Sequence, residues 1–246
     1  LSIVAVHGLN GKAYKTWAQD GKLWLADFLP LDIPYARIFT YGYNSRVAFA
    51  GSASGVDDHS RTLLERLMAK RRQFGHTEKR PLLFICHSLG GVIVKRALAI
   101  AHERSRRYSS ITRDTFGIMF LGTPHRGSDT AYWGNLLGKL ADVLTLGSIR
   151  TQLLEDLKRK SAMLGATCTQ FIERSESLHR IFSIYERQPT KRSGLIVEED
   201  SAVIGLPNEI PIPIEADHRS MCKFSNMRNE KYQMVLDCIV EMVENA

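Results

Sequence analysis

The chain has 246 residues, of which 44% are hydrophobic and 24% are charged. This length suits one large domain, and such an apolar content excludes disorder as the main state of the chain. The formal net charge of +7 is carried by short basic clusters that we interpret as solvated helix and loop faces. No nucleic-acid-binding motif accompanies them, so the charge favours, at most, peripheral contact with an anionic membrane.

No apolar run approaches the roughly 20 residues that are needed to cross a bilayer. The opening segment Leu1–Val6 is apolar but lacks a basic leader, which indicates a core strand and not a signal peptide. Because the chain begins inside a strand, we expect it to be a domain of a longer polypeptide. Four cysteines are spread along it: Cys86, Cys168, Cys222 and Cys238. Since none forms a CxxC pair, we expect neither a zinc site nor disulfides, and a reducing, cytoplasmic location.

Short continuous apolar runs alternate with segments of helical periodicity along the whole chain. Such runs are typical of parallel strands that are covered on both faces. The pattern therefore predicts an α/β fold, with a mostly parallel sheet and helices on both faces. The predicted strands are Ile3–Val6, Ala36–Tyr41, Leu82–Cys86, Phe116–Leu121, Ile181–Tyr185 and Leu195–Val197.

A long interval, about residues 127–178, separates the strand that ends near Leu121 from the strand that begins near Ile181. Leucines recur in it at helical intervals, which predicts an all-helical insertion. The insertion either forms a cap over an active site or adds packing on the sheet. In both cases we expect residues 1–246 to form a single domain.

The most informative passage is the predicted strand Leu82–Cys86, which runs through His87 into Ser88 and then directly into a helical segment. A nucleophile elbow of the α/β-hydrolase fold needs this order, because its serine sits on a strained turn with the hydroxyl exposed. Gly90 supplies the small residue after the serine, whereas Cys86 stands where glycine is usual. The passage predicts that Ser88 is a nucleophile.

Two backbone N–H groups are candidate donors to the oxyanion of an acyl-transfer intermediate. Leu89 follows the serine at the start of a helix, where the helix dipole favours negative charge. Leu9 lies in the glycine-containing loop after the first strand, which can fold over the nucleophile. His7, at the start of that loop, is interpreted as a packing residue.

A serine hydroxyl needs a general base that is oriented by a carboxylate, and in this fold the chain order is serine, acid, histidine. His218 lies after the last predicted strand and before the final helix, which suits the base. His87 adjoins the nucleophile, but we expect its side chain to point away from the site. His125 comes too early in the chain and is expected to line the pocket or to fix its loop.

The acid is chosen among three carboxylates. Glu186 follows the strand Ile181–Tyr185, which is where this fold places its acid. Asp200 and Glu198 follow the next predicted strand and remain alternatives. From position along the chain, Glu186 is favoured over these two.

Several motifs recur together over nearly the whole chain: Gly8-Leu9-Asn10-Gly11, residues 86–91, residues 120–128, Tyr185-Glu186 and Ala216-Asp217-His218. In these motifs the chain resembles the α/β-hydrolase domains related to the serine-active-site protein of mitochondria–ER contacts and to GPI inositol-deacylase. It also resembles the versions at the N-termini of fungal NOD-like receptors. The resemblance implies a lipase- or esterase-like enzyme with Ser88 as nucleophile, His218 as base and Glu186 as acid.

Together these features predict a serine hydrolase that cleaves carboxylic esters through an acyl-enzyme. The leucine-rich insertion favours a lipid or long-chain acyl ester as substrate. No metal and no organic cofactor is implied, because the three side chains supply both nucleophile and proton transfer. The alternative hypothesis is an N-terminal effector or signalling module of a receptor-like protein, with other domains as partners and with weak or oligomerisation-gated hydrolase activity.

Overall fold

The computed structural model describes residues 1–45, 55–73, 80–125, 130–144, 149–175, 178–191 and 193–246. The strands in chain order are β1 (Ser2–Val6), β2 (Ala18–Gln19), β3 (Lys22–Leu23), β4 (Arg37–Tyr41), β5 (Leu82–His87), β6 (Thr115–Leu121), β7 (Arg180–Glu186) and β8 (Glu209–Ile214). Within the described residues, six of them form one sheet in the order β4-β1-β5-β6-β7-β8, and β2 pairs with β3 in a small hairpin. Every neighbouring pair in the large sheet is parallel, as the alternating pattern predicts.

Helices cover both faces of this sheet. They are α1 (Trp24–Asp27), α2 (Leu29–Asp32), α3 (Gly55–Gln73), α4 (Gly90–Glu103), α5 (Ser105–Asp114), α6 (Thr130–Leu144), α7 (Ile149–Arg174), α8 (Glu199–Ala202) and α9 (Glu230–Glu244). Side chains of α3, α4, α6 and α7 share one buried cluster, and those of α1, α2 and α9 share the other. The predicted α/β architecture with helices on both faces is confirmed.

The strands explain why both clusters exist. In β5, Phe84 and Cys86 face the first cluster, whereas Leu83 and Ile85 face the second. The side chains of a strand alternate between faces, so a continuous apolar run fills both layers at once. This is the reason that apolar runs without alternation identify the inner strands of this chain.

The prediction of a strand at Leu195–Val197 is wrong. That segment is a loop, and the last strand of the sheet is β8, with the sequence Glu-Ile-Pro-Ile-Pro-Ile. Pro211 and Pro213 lack an N–H donor, which is unfavourable inside a sheet. They are tolerated because β8 is an edge strand. The two prolines are two residues apart, so both lack their N–H on the same side of the strand, which is the side without a neighbouring strand.

The described part of the helical insertion packs on the sheet through the first cluster. Trp133 and Leu137 of α6 and Cys168 of α7 are fully buried there. Lys95 of α4 is buried as well, and its ammonium group donates to Pro124 O (2.9 Å) and to Cys168 Sγ (3.3 Å). Residues 126–129, 145–148 and 176–177 of this region lie outside the described residues, and a cap over the site stays a prediction.

The start of α4 lies directly against the end of β1. A Cβ atom added to Gly90 would lie 2.5 Å from the carbonyl oxygen of His7 and closer still to that of Val6. Both neighbours are backbone atoms, which cannot rotate away as a side chain can. The close approach of strand and helix therefore requires glycine at this position.

We expect Gly90→Ala to lower the free energy of unfolding by about 2–3 kcal/mol or more, because overpacking against fixed backbone forces the helix to shift. Urea unfolding followed by circular dichroism measures this. Gly42→Ala is the matched control, since its Cβ would meet a side-chain methyl group of Ala13 at 3.1 Å. Equal losses in the two variants would contradict the interpretation.

Candidate active site

Ser88 occupies the sharp turn between β5 and α4. Its φ of 53° lies in the left-handed region, which is uncommon for a residue other than glycine and marks a strained turn. Neighbouring groups hold it there: Ser88 N donates to Leu121 O (2.9 Å) and Thr123 Oγ1 donates to Ser88 O (2.9 Å). The strand, strained turn and helix form the geometry of a nucleophile elbow.

The loop after β1 closes over this turn. A Cβ atom on Gly8 would lie 2.7 Å from Ser88 Cβ and 3.3 Å from Leu89 N, so the two backbones are in contact. Leu9 and Leu89 are both buried. Within the described part of the chain, neither the Leu9 N–H nor the Leu89 N–H donates a hydrogen bond. Both N–H groups are therefore unused donors close to the elbow, and their role as an oxyanion hole stays a prediction.

His218 lies in the loop that follows β8, and its ring faces the elbow. His218 Nε2 is 2.9 Å from Ser88 Oγ, which places the serine hydroxyl in position to donate to the ring. Gly122, whose φ is +56°, leaves the space for this ring, because a Cβ there would lie 3.0 Å from His218 Nδ1. The residue is 3% exposed, so the contact is sheltered from bulk water.

Glu186 lies at the end of β7 and completes the line of contacts. Glu186 Oε2 accepts from His218 Nδ1 at 2.6 Å. The other oxygen, Oε1, accepts from the backbone N–H groups of Ile196 and Val197, the second at 3.1 Å. The segment that we predicted as a strand therefore holds the carboxylate, and these charge-assisted bonds fix its orientation towards the histidine.

The two alternative acids have their described contacts elsewhere. Glu198 Oε1 accepts from Lys139 Nζ at 3.1 Å. Asp200 is exposed in α8 and lines a separate surface cavity together with His125 and Pro211. Of the three candidate carboxylates, the structure brings Glu186 to His218.

His87 is the residue that our sequence analysis misjudged, because its side chain does not point away from the site. His87 Nε2–H donates to His218 O at 2.8 Å, and the two ring centroids are 5.0 Å apart. Burial, followed by the nearby His218, lowers the pKa of His87 to about 3. The neutral ring supports the loop of the candidate base, and a histidine directly before the serine was the available sequence signal.

The other two histidines near the elbow, His7 and His125, are fully buried, whereas His87 is half-buried. His7 stacks on Tyr43 with a centroid distance of 4.4 Å, and its Nδ1–H donates to Gly8 O. This agrees with the packing role predicted for it. His125 makes no side-chain hydrogen bond within the described residues, and burial, with Lys95 nearby, holds its pKa well below the ordinary value.

The described residues contain no group of three or more His, Cys, Asp or Glu side chains that could hold a metal ion. The helices in this part of the chain also include none whose length and apolar character would suffice for a membrane span. All four cysteines are buried and free.

A solved structure with the same arrangement of strands and helices is the mature lipase BlEst2 of Bacillus licheniformis. It superimposes on this chain with a TM-score of 0.60 and 18% sequence identity, covering 98% of this chain and 91% of the lipase. The parallel six-stranded sheet with helices on both faces agrees with that match. The chain has the α/β-hydrolase fold.

Relatives of this α/β-hydrolase domain are also found by sequence, although no family model matches it. The chain is 26% identical to SERAC1 of Bos taurus over 270 residues, covering 99% of this chain and 40% of that protein. It is 28% identical to SERAC1 of Danio rerio over 262 residues, covering 96% and 38%. The chain thus resembles SERAC1, as predicted, and spans about two fifths of the length of these relatives.

The pKa of His87 makes the stability of this α/β-hydrolase domain depend on pH. The ring has a pKa of about 3 in the folded chain and about 6.5 when unfolded. Between these values the unfolded chain binds more protons, so the free energy of unfolding falls as the pH decreases from about 6.5 towards 3.

We expect His87→Gln to make this fall shallower, because glutamine keeps an N–H donor for His218 O but cannot bind a proton. The difference in slope is at most about one proton, or about 1.4 kcal/mol per pH unit. Urea unfolding of both proteins at pH 7, 6, 5 and 4 measures it. Parallel stability curves would show that the His87 ring is not held neutral by the fold.

Proposed function

We propose that this chain is a serine hydrolase that cleaves carboxylic esters through an acyl-enzyme. The single observation that carries the proposal is the line of hydrogen bonds from Ser88 Oγ through His218 to Glu186, with distances of 2.9 Å and 2.6 Å. The line lies at the turn where this fold exposes its nucleophile. A role in binding alone gives no reason for these three groups to be aligned.

In the proposed reaction, Ser88 Oγ attacks the ester carbonyl while His218 Nε2 takes the hydroxyl proton. Glu186 holds the ring so that Nδ1 carries a hydrogen and Nε2 is free to act as base, and it stabilises the charged ring that forms. The loop Ile196–Val197 keeps the carboxylate in this orientation through its two N–H groups. The Glu186 carboxylate therefore remains an acceptor throughout the proposed step.

Attack produces a tetrahedral intermediate with a negative oxygen. The N–H groups of Leu9 and Leu89 are the proposed donors to it, and each donor of this kind lowers the barrier by about 3–4 kcal/mol. His218 then gives its proton to the departing alcohol. Water then enters and attacks the carbonyl of the acyl-enzyme while His218 takes a proton from it. His218 returns this proton to Ser88 Oγ as the bond to the acyl carbon breaks, which releases the acid and restores Ser88.

The leucine-rich insertion is the feature from which a lipid or long-chain acyl group was predicted. Leu136, Leu137 and Leu140, which favoured a long-chain ester in the sequence, are buried in the first core cluster. They therefore contribute to packing and do not line an open acyl site. The later leucines of the insertion, up to Leu157, have side chains outside the described residues, and the preference for a lipid or long-chain ester stays a prediction from the sequence.

We expect Ser88→Ala to abolish both labelling by a fluorophosphonate probe and hydrolysis of p-nitrophenyl butyrate. Glu186→Gln should lower kcat by about 10³–10⁴-fold, because the amide favours the wrong ring tautomer. Glu198→Gln and Asp200→Asn are matched controls that remove the same charge, and both should keep kcat within about twofold, since neither carboxylate contacts His218.

Circular dichroism of each variant separates loss of chemistry from loss of fold. Labelling that persists in a folded Ser88→Ala protein would show that another residue is the nucleophile. Equal losses in Glu186→Gln and in either control would show that the acid is wrongly assigned.

A further inference from the structure

A surface pocket opens directly beside the candidate oxyanion hole. It has a volume of about 260 Å³, and its inner wall includes Leu9 and His87. Four of its other lining residues are basic: Lys12, Lys15, Arg219 and Lys223. We call these four residues and the space between them the basic pocket.

Residues of the basic pocket are neighbours of the residues that we propose to carry the reaction. Leu9 supplies a proposed oxyanion donor, and Arg219 directly follows His218 in the chain. His87 joins the pocket wall to the loop of the base through its hydrogen bond to His218 O. Because Leu9 belongs both to the pocket wall and to the proposed oxyanion hole, the pocket is close enough to receive one substituent of an ester carbonyl that is held there.

The charges in this pocket are not balanced by the surrounding residues. Within the described part of the chain, none of the four basic side chains forms an ion pair. No acidic residue is among the described residues that line the pocket; Asp217 lies beside it, and its Oδ1 accepts from the backbone N–H groups of Arg219 and Ser220. One carboxylate against four cations leaves a formal charge of about +3 around a small space.

Like charges that are held together repel one another, and an anion between them removes that repulsion. Lys12, Lys15 and Arg219 are exposed and Lys223 is half-buried, so their side chains can turn inward without a large loss of solvation. Three separate points of charge and a planar guanidinium suit the several oxygens of a phosphate better than the two of a carboxylate.

We propose that the basic pocket is an anion subsite that holds a phosphate group carried by the ester substrate. The inference rests on the proposed function, since the subsite is defined by its position next to Ser88. It names the substrate class more narrowly: an acyl ester whose alcohol part bears a phosphate within a few bonds of the scissile oxygen. The phosphate positions that alcohol before attack and takes no part in the bond changes.

The test compares two substrates that differ only in the phosphate: 1-hexanoylglycerol 3-phosphate and 1-hexanoylglycerol, both used below their micelle concentrations. We expect the native chain to prefer the phosphate ester in kcat/KM. In Lys12→Gln/Lys15→Gln and in Lys223→Gln, this preference should fall by about tenfold or more, mainly through KM. The control Lys70→Gln/Lys231→Gln removes two charges outside the pocket and should keep the preference within about twofold.

A salt series adds a second readout. The basic side chains are largely exposed, so the preference for the phosphate ester should decrease as the ionic strength rises from 0.01 M to 0.15 M. A preference that is absent in the native chain, or that survives in both pocket variants, would overturn the proposal.

A vesicle experiment distinguishes a phosphate group on the substrate from the phosphate groups of a membrane surface. Sedimentation with phosphatidylcholine vesicles, with and without 30% phosphatidylserine, reports binding to a charged membrane surface. If the pocket variants lose vesicle binding but keep the native preference between the two soluble esters, the cations bind a membrane surface and the subsite proposal is wrong. Loss of the preference between soluble esters supports the subsite.

Failure of the proposed function has a different signature. It would appear as no hydrolysis of either ester, or as hydrolysis that persists in Ser88→Ala. The subsite is then tested by calorimetric titration of the Ser88→Ala protein with glycerol 3-phosphate. Binding that is weakened about tenfold or more by Lys12→Gln/Lys15→Gln supports the pocket, and the absence of binding overturns it.

Discussion

The close approach of two backbone segments at the elbow is the constraint on which the rest of the site depends. Gly8 leaves room for Ser88 Cβ, and Gly90 leaves room for the carbonyl groups at the end of β1. With these two glycines the loop after β1 and the start of α4 meet, and Ser88 is forced into a positive φ. The same contact brings the loop that contains Leu9 next to Leu89 and the serine, so the strained turn and the proposed oxyanion donors have one cause.

The parallel sheet then brings distant parts of the chain to that turn. β5, β7 and β8 run in the same direction, so Ser88, Glu186 and His218, which lie at or after their ends, meet at one edge. Burying three polar side chains is unfavourable unless they satisfy one another. Here each has a partner, and Ile196 and Val197 satisfy the remaining carboxylate oxygen.

Two kinds of basic group lie near this edge of the sheet, and they differ in exposure to solvent and in charge. His87 is half-buried and, with its pKa lowered to about 3, stays neutral over most of the pH range, so it acts as a hydrogen-bond donor that supports the His218 loop. Lys12, Lys15, Arg219 and Lys223 face an open pocket and keep their charges in solvent. The neutral histidine therefore separates the proposed proton transfer at His218 from the proposed anion subsite, although the two are only one side chain apart.

The sequence by itself determined the layered α/β fold and the position of the elbow, because both depend on neighbours in the chain. A strand buried on both faces, a serine and a glycine-started helix fall within residues 82–103. The sequence did not determine the last strand of the sheet. Leu195–Val197 has the composition of a strand but is a loop, and Pro211 argues against a strand in the segment that forms β8. Only an edge position, which pairing decides, makes that proline acceptable.

The tertiary structure alone decided which groups meet around the serine. Glu186, Glu198 and Asp200 lie within fifteen positions of one another, and the path of the loop between them places Glu186 against His218. In the same way, Lys12 and Lys223 are about 210 residues apart in the chain, and a shared pocket brings them together. A local pattern can specify a turn, but contacts between distant segments depend on how the whole sheet pairs and packs.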